Sequence, residues 1–114
     1  MKPSLWKQYF EEKGFTIIES EKGFIKAMCH KHLCLIDDWY VAPEYRKSSV
    51  AAMRMVFKVM DIAKQKGCTH LAGEVYRSDP MFDYIVNMHQ KFGMVITAED
   101  EYHVVTSKSL VEDK

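Results

Sequence analysis

One stretch limits the folds open to this chain more than any other: residues 36–53, IDDWYVAPEYRKSSVAAM. It reads as a strand ending at Val41, a turn containing Pro43, a short loop rich in charge and hydroxyls, and the start of a long amphipathic helix. A strand that passes through such a loop into a helix presents unpaired N–H groups and a partial positive charge at the end of a sheet. Consecutive amides there can wrap an anion, and a phosphate is the natural guest. Arg46 and Lys47 add full positive charge, while Ser48 and Ser49 add hydroxyl donors able to cap the helix. A capped helix whose basic residues face water accounts for the same residues, so both readings stand on this stretch alone.

The rest of the chain supplies a sheet for that junction to sit on. Leu5, Trp6, Tyr9 and Phe10 recur at helical spacing between a capping Ser4 and a stop at Gly14. FTIIES and FIKAMCH, separated by residues 21–23, form a hairpin, and Lys31 and His32 turn into a third strand, residues 33–41. From Ser49 to Lys66, Val50, Met53, Val56, Phe57, Met60 and Ala63 define the apolar face of a long helix stopped by Gly67. Residues 69–76 return as a strand, which implies a parallel, right-handed crossover. Gly73 inside that strand marks a bulge or the close backbone approach of a ligand. Asp79 caps a further helix with Pro80 in its first position, its apolar face including Phe82, Ile85, Val86 and Phe92. MVITA and YHVVTSK make a last hairpin, and residues 109–114 are expected to fray. The order α-β-β-β-α-β-α-β-β is that of a mixed α/β (α+β) sheet with helices packed on it, in a single domain over residues 1–114.

Sixteen basic residues balance sixteen acidic ones, which argues against a general nucleic-acid or membrane-surface binder while leaving the local patch at Arg46 and Lys47 intact. No run approaches the roughly 20 apolar residues of a membrane span, and acidic residues interrupt the N-terminal stretch where a secretory signal is apolar. A cytoplasmic protein is the expectation. Cys29, Cys34 and Cys68 are odd in number and read as reduced thiols packed as small hydrophobes. CHKHLC, residues 29–34, offers two thiols and two imidazoles, yet zinc ligand pairs are separated by longer loops and strand alternation divides neighbours between faces, so no metal is expected.

The central stretch resembles the acetyl-CoA motif of the GNAT superfamily of N-acetyltransferases, in which a strand running into Val-x-Pro is followed by Arg/Gln-x-x-Gly-x-Gly/Ala. Here the motif reads Val41-Ala42-Pro43, then Arg46-Lys47-Ser48-Ser49-Val50-Ala51. Arg46 and Ala51 match its ends, and Ser49 stands where the family usually has Gly, which would allow close approach and positive φ. The resemblance covers about residues 14–108. Its second half is less specific: HQKFGM, residues 89–94, corresponds to Tyr-x-x-x-Gly-Phe with His89 in place of Tyr, and one N-terminal helix stands where the family has two.

The resemblance implies a GNAT-like, mostly antiparallel mixed sheet and transfer of an acetyl group from acetyl-CoA to a primary amine of a small molecule or protein. Backbone groups at Trp39, Tyr40 and Val41 would hold the pantetheine arm, and Arg46, Lys47, Ser48, Ser49, Val50, Ala51 and Ala52 the diphosphate, with Asp79 in the place of a cofactor-contacting Asn. Glu74 and Asp38 are both candidate bases, and because strand alternation sends Asp37 and Asp38 to opposite faces, one of that pair at most faces the cleft. His89 is the candidate proton donor to the departing thiolate, and Tyr84, five residues earlier, is offset from it on the helix. A second copy of the chain completing the acceptor cleft is expected from the reduced N-terminus. The departures at Ser49 and His89 leave a second reading, a GNAT-like binding protein without catalysis that acts by contacting another protein.

Overall fold

The computed structural model describes residues 4–111. Ser4 caps the first helix, its hydroxyl accepting from the Lys7 amide at 3.1 Å, and α1 runs Leu5–Glu12. Strands β1 (Thr16–Ser20), β2 (Gly23–His30) and β3 (Leu33–Val41) follow as two successive hairpins, the first closed by the Ser20–Gly23 pair. A short 3-10 turn, Pro43–Tyr45, leads to α2 (Val50–Gln65), and β4 (His70–Tyr76) returns parallel to β3. Helix α3 (Phe82–Lys91) and the hairpin of β5 (Val95–Glu99) and β6 (His103–Ser109) complete the described chain. The sheet order is β1-β2-β3-β4-β6-β5, with β3–β4 the parallel pair.

The helices divide between the two faces by aromatic and aliphatic contacts. Helix α1 sits on one face of the β1–β3 half, where Trp6 meets Phe24 edge-on at 4.9 Å and Phe10 meets Phe15 at 5.5 Å. Helices α2 and α3 share the other face, closing the core around Ile25, Ile36, Val56, Val59, Leu71 and Met88. Burial of such side chains at about 25 cal/mol per Å² supplies the driving force that orders the sheet.

Several expectations change on contact with tertiary packing. The buried face of α2 is Ala51, Ala52, Met55, Val56, Val59 and Ala63, while Val50 and Phe57 are exposed. Both series have helical spacing, and the small alanines let the helix approach the sheet closely. Asp79 does not cap α3 directly: its carboxylate accepts from the Met81 amide at 2.8 Å, closing a turn that delivers the chain to a helix beginning at Phe82. The expected fraying starts too early, because Ser109 pairs with His70 and the buried Leu110 donates its amide to Thr69 at 2.7 Å; residues 112–114 lie outside the described residues. Gly73 lies in an unbroken ladder, and its missing side chain makes room for protein: a Cβ there would sit 2.7 Å from Cε1 of His89.

Candidate active site

Strands β3 and β4 run side by side from Leu33–His70 to Ile36–Gly73, and there the pairing ends. Both strands continue, β3 to Val41 and β4 to Tyr76, so the two edges part and leave a wedge in which, among the described residues, β4 gives β3 no main-chain partner. A bulge at Asp37 sits at the fork, since Ile36 opposes Ala27 while Asp38 opposes Lys26. The extra residue breaks the alternation of β3 and turns both Ile36 and Trp39 into the core, leaving Asp37 and Asp38 outside it. The expectation that only one of the two aspartates borders the cleft is therefore corrected. Both line an inner cavity of about 60 Å³ together with Glu74, Tyr76, Asp79, Ile85 and His89.

This inner end is acidic. Asp37 is neutralised by Lys26 at 2.7 Å, whose ammonium also lies over the Phe10 ring at 3.9 Å. Asp38 has no such partner among the described residues: desolvation and then the charge of Asp37 push its carboxyl above the ordinary aspartate value, with Lys26 opposing the shift. The Tyr76 hydroxyl donates to Glu74 at 3.4 Å.

The floor is a stack of rings. His89 is 2% exposed, lies face to face with Trp39 at 5.4 Å, and is bonded through Nδ1 to the Thr106 hydroxyl at 2.8 Å. Burial pushes its pKa down to about 4, so the imidazole is neutral at ordinary pH. Trp39 also packs on Phe92, and its indole N–H is the one buried side-chain donor without a partner among the described residues.

Beyond the floor, an outer cavity of about 190 Å³ is lined by Asp38, Trp39, Tyr40, Val41, Arg46, Asp79, Met81, Tyr84 and Ile85. It shares Arg46 and Tyr84 with a third cavity of about 200 Å³ formed by Lys47, Ser48, Ser49 and Ala52 against Asn87, Met88 and Lys91 of α3. The three spaces follow one another from the acidic fork to a basic end at Arg46, Lys47 and Lys91. At that end the loop amides are available. Among the described residues the Lys47, Ser48, Ser49, Ala51 and Ala52 amides have no protein acceptor, Val50 reaches the Ser48 hydroxyl at 3.4 Å, and the helical ladder starts with Met53 donating to Ser49. Ser49 has φ −90°, so its place in the motif demands no glycine conformation.

Arg46 is placed differently from a free phosphate ligand. Its Nε donates to the Val41 carbonyl at 2.8 Å, and its guanidinium lies between the Tyr40 and Tyr84 rings at 5.4 and 5.6 Å. It thereby fixes the end of β3 to the loop while keeping its charge at the junction of the two cavities. Val50 and Ala51 line a different depression, beside Glu44 and Tyr45, and not the cavity between the loop and α3. Asn87 and Lys91 are contributors absent from the sequence expectations, and Tyr84, expected to be offset from His89, joins them; their i, i+3 and i+7 spacing puts the three on one face of α3.

The overall arrangement of sheet and helices has counterparts among solved structures. PaiA N-acetyltransferase from Thermoplasma acidophilum, in complex with coenzyme A, matches with TM-score 0.66 and 20% identity over 76% of this chain and 52% of that one. A GNAT-family protein from Desulfovibrio desulfuricans matches with TM-score 0.72 and 12% identity over 88% and 71%. The chain has the GNAT fold. The same fold is seen in yncA from Salmonella typhimurium with its cofactor acetyl-CoA, at TM-score 0.68 and 12% identity over 95% and 72%. This chain spans about half the length of the Thermoplasma protein. No family model and no curated protein matches it. In this chain the wedge, the loop amides and the basic end of the groove are formed by residues 37–41, residues 47–52 and Lys91 of α3.

Proposed function

We propose that this chain is an acetyl-CoA-dependent N-acetyltransferase acting on a primary amine of a small molecule or protein. The observation that carries the reading is the junction of two features in one groove: strand edges that part after Ile36–Gly73, and unoccupied amides at the entrance to α2. The residues fit the cofactor. Lys47 to Ala52 would hold its diphosphate through main-chain N–H groups, with Lys47 and Lys91 supplying charge, and the free edge of Trp39 to Val41 would take the pantetheine amides. Acetyl-CoA supplies the activated acyl thioester.

The chain's own groups provide the remaining requirements. The acidic fork attracts an ammonium, and Asp38, with its raised carboxyl, or Glu74 beside it accepts the proton that the amine loses. Asp79 holds the entrance to α3 through its bond to Met81 and contributes a further negative charge. His89, neutral and pinned to Thr106, shapes the floor, with Nε2 as its remaining ring nitrogen; Tyr84, which lines both the outer and the loop cavities, would protonate the leaving thiolate. Positioning contributes most of the rate in this scheme. A second copy of the chain is assigned to complete the acceptor side, and sedimentation velocity showing monomer at all concentrations would remove that part.

Thermal unfolding with and without CoA or acetyl-CoA tests the binding step, because a ligand of the folded state raises the transition temperature in proportion to ln(1 + [L]/Kd). A shift with both ligands is expected, and none at millimolar concentration sinks the reading. The neutral state of His89 favours a second reading, a binding protein that holds the cofactor without transfer. Incubation with acetyl-CoA and a panel of amines separates the two: an acetyl mass increment on an amine supports transfer, and a thermal shift without any increment supports the silent protein.

A further inference from the structure

The end of the sheet away from the cleft holds all three cysteines of the chain together. Cys29 and Cys34 stand directly opposite each other in the β2–β3 ladder, one pair in from the His30–Leu33 pair that closes the hairpin. Facing residues of an antiparallel pair have Cα atoms about 4.5–5.5 Å apart, inside the range that a disulfide spans. Both side chains turn to the α2 face, where Cys68 arrives just after the helix with its thiol 3.9 Å from the Lys31 carbonyl. Cys29 lies close enough to both other thiols to disfavour their ionisation.

The three differ in access. Cys34 is fully buried and Cys68 nearly so, whereas Cys29 is only partly covered. Burial and then the Cys29 contact push both Cys34 and Cys68 above the ordinary thiol value, and Lys66 opposes the shift in each. An oxidant therefore meets Cys29 first, with a resolving thiol already in place.

We propose that Cys29 and Cys34 are a peroxide-sensitive thiol pair that closes reversibly to a disulfide across the β2–β3 hairpin. The Cys29 sulfur, having lost its proton, attacks one oxygen of a hydroperoxide; the O–O bond breaks, a sulfenic acid forms, and the departing hydroxide takes up the released proton as water. The Cys34 sulfur then attacks the Cys29 sulfur, forming S–S and expelling the sulfenic hydroxyl, which leaves as a second water with the Cys34 proton. Two thiols are oxidised and one peroxide is reduced. A dithiol reverses the reaction.

The test uses the reduced full chain and hydrogen peroxide, followed by alkylation under denaturing conditions and tryptic digestion. Cleavage after Lys26, Lys31 and Arg46 places Cys29 in residues 27–31 and Cys34 in residues 32–46, so only a disulfide holds these two peptides together. The expected result is that bridged pair, loss of two of the three alkylatable thiols, retention of alkylated Cys68 and full reversal by dithiothreitol. The same bridge in a Cys68→Ala chain further supports the pairing. Three alkylatable thiols after peroxide, Cys29 carried on to sulfinic acid with Cys34 still alkylatable, or residues 27–31 bridged to residues 67–77 would overturn it.

Discussion

Buried between Trp39, Gly73 and Thr106, the His89 imidazole links the acidity of the solvent to the integrity of the cleft. Its folded pKa is about 4 against an ordinary 6.5, so between these values the unfolded chain binds more protons than the folded one. The sign follows: this contribution to stability is complete above about pH 6.5 and is lost as pH falls towards 4. The expected loss between pH 7 and pH 5 is about 2 kcal/mol, measured by urea unfolding, and His89→Gln should remove that difference. Asp38, shifted upward, works in the opposite direction at lower pH, which is why the comparison is made between wild type and variant. Gly73→Ala tests the same contact from the other side. Its Cβ would meet Cε1 at 2.7 Å and Nδ1 at 3.1 Å of a ring that cannot swing away, so a loss of about 1–3 kcal/mol is expected in the same unfolding measurement.

The loop between β3 and α2 depends on Arg46 as a clasp more than as a phosphate ligand. Arg46→Ala removes the bond to the Val41 carbonyl, the filling between Tyr40 and Tyr84, and a positive charge, and should weaken CoA binding about 10-fold or more in calorimetry. Asp79→Ala, which opens the turn before α3 and removes a carboxylate, not a positive charge, from the inner and outer cavities, should weaken it less; equal affinity of Arg46→Ala and wild type would place the diphosphate elsewhere. Much of this element was readable beforehand, because strand, Pro43 turn, basic loop and helix are local patterns. What local pattern did not show was set by contacts far along the chain. The bulge at Asp37 exists only against Lys26 and Ala27 of another strand, and it moved Asp37 to the cleft beside Asp38. The buried face of α2 was chosen by the sheet between two series with the same period, and His89 entered the core because Gly73, sixteen residues earlier, leaves the space.

At the scale of the whole molecule, the helices cover the sheet unequally. Helices α2 and α3 close one face, whereas α1 shields only the β1–β3 half of the other, leaving Tyr76 and Val95 more than half exposed on the β4–β6–β5 half. The acceptor side of the proposed reaction borders that open half, through Glu74 and Tyr76. The fork between β3 and β4 is a matter of register: hydrogen bonding simply stops at Ile36–Gly73, with β2 fastening the outer edge of β3 and β6 that of β4. A doorway framed in this way has no leaf to swing. Stopped-flow mixing with CoA should accordingly give a single exponential whose rate climbs linearly with ligand concentration, and a plateau would reveal a slow rearrangement before or after capture.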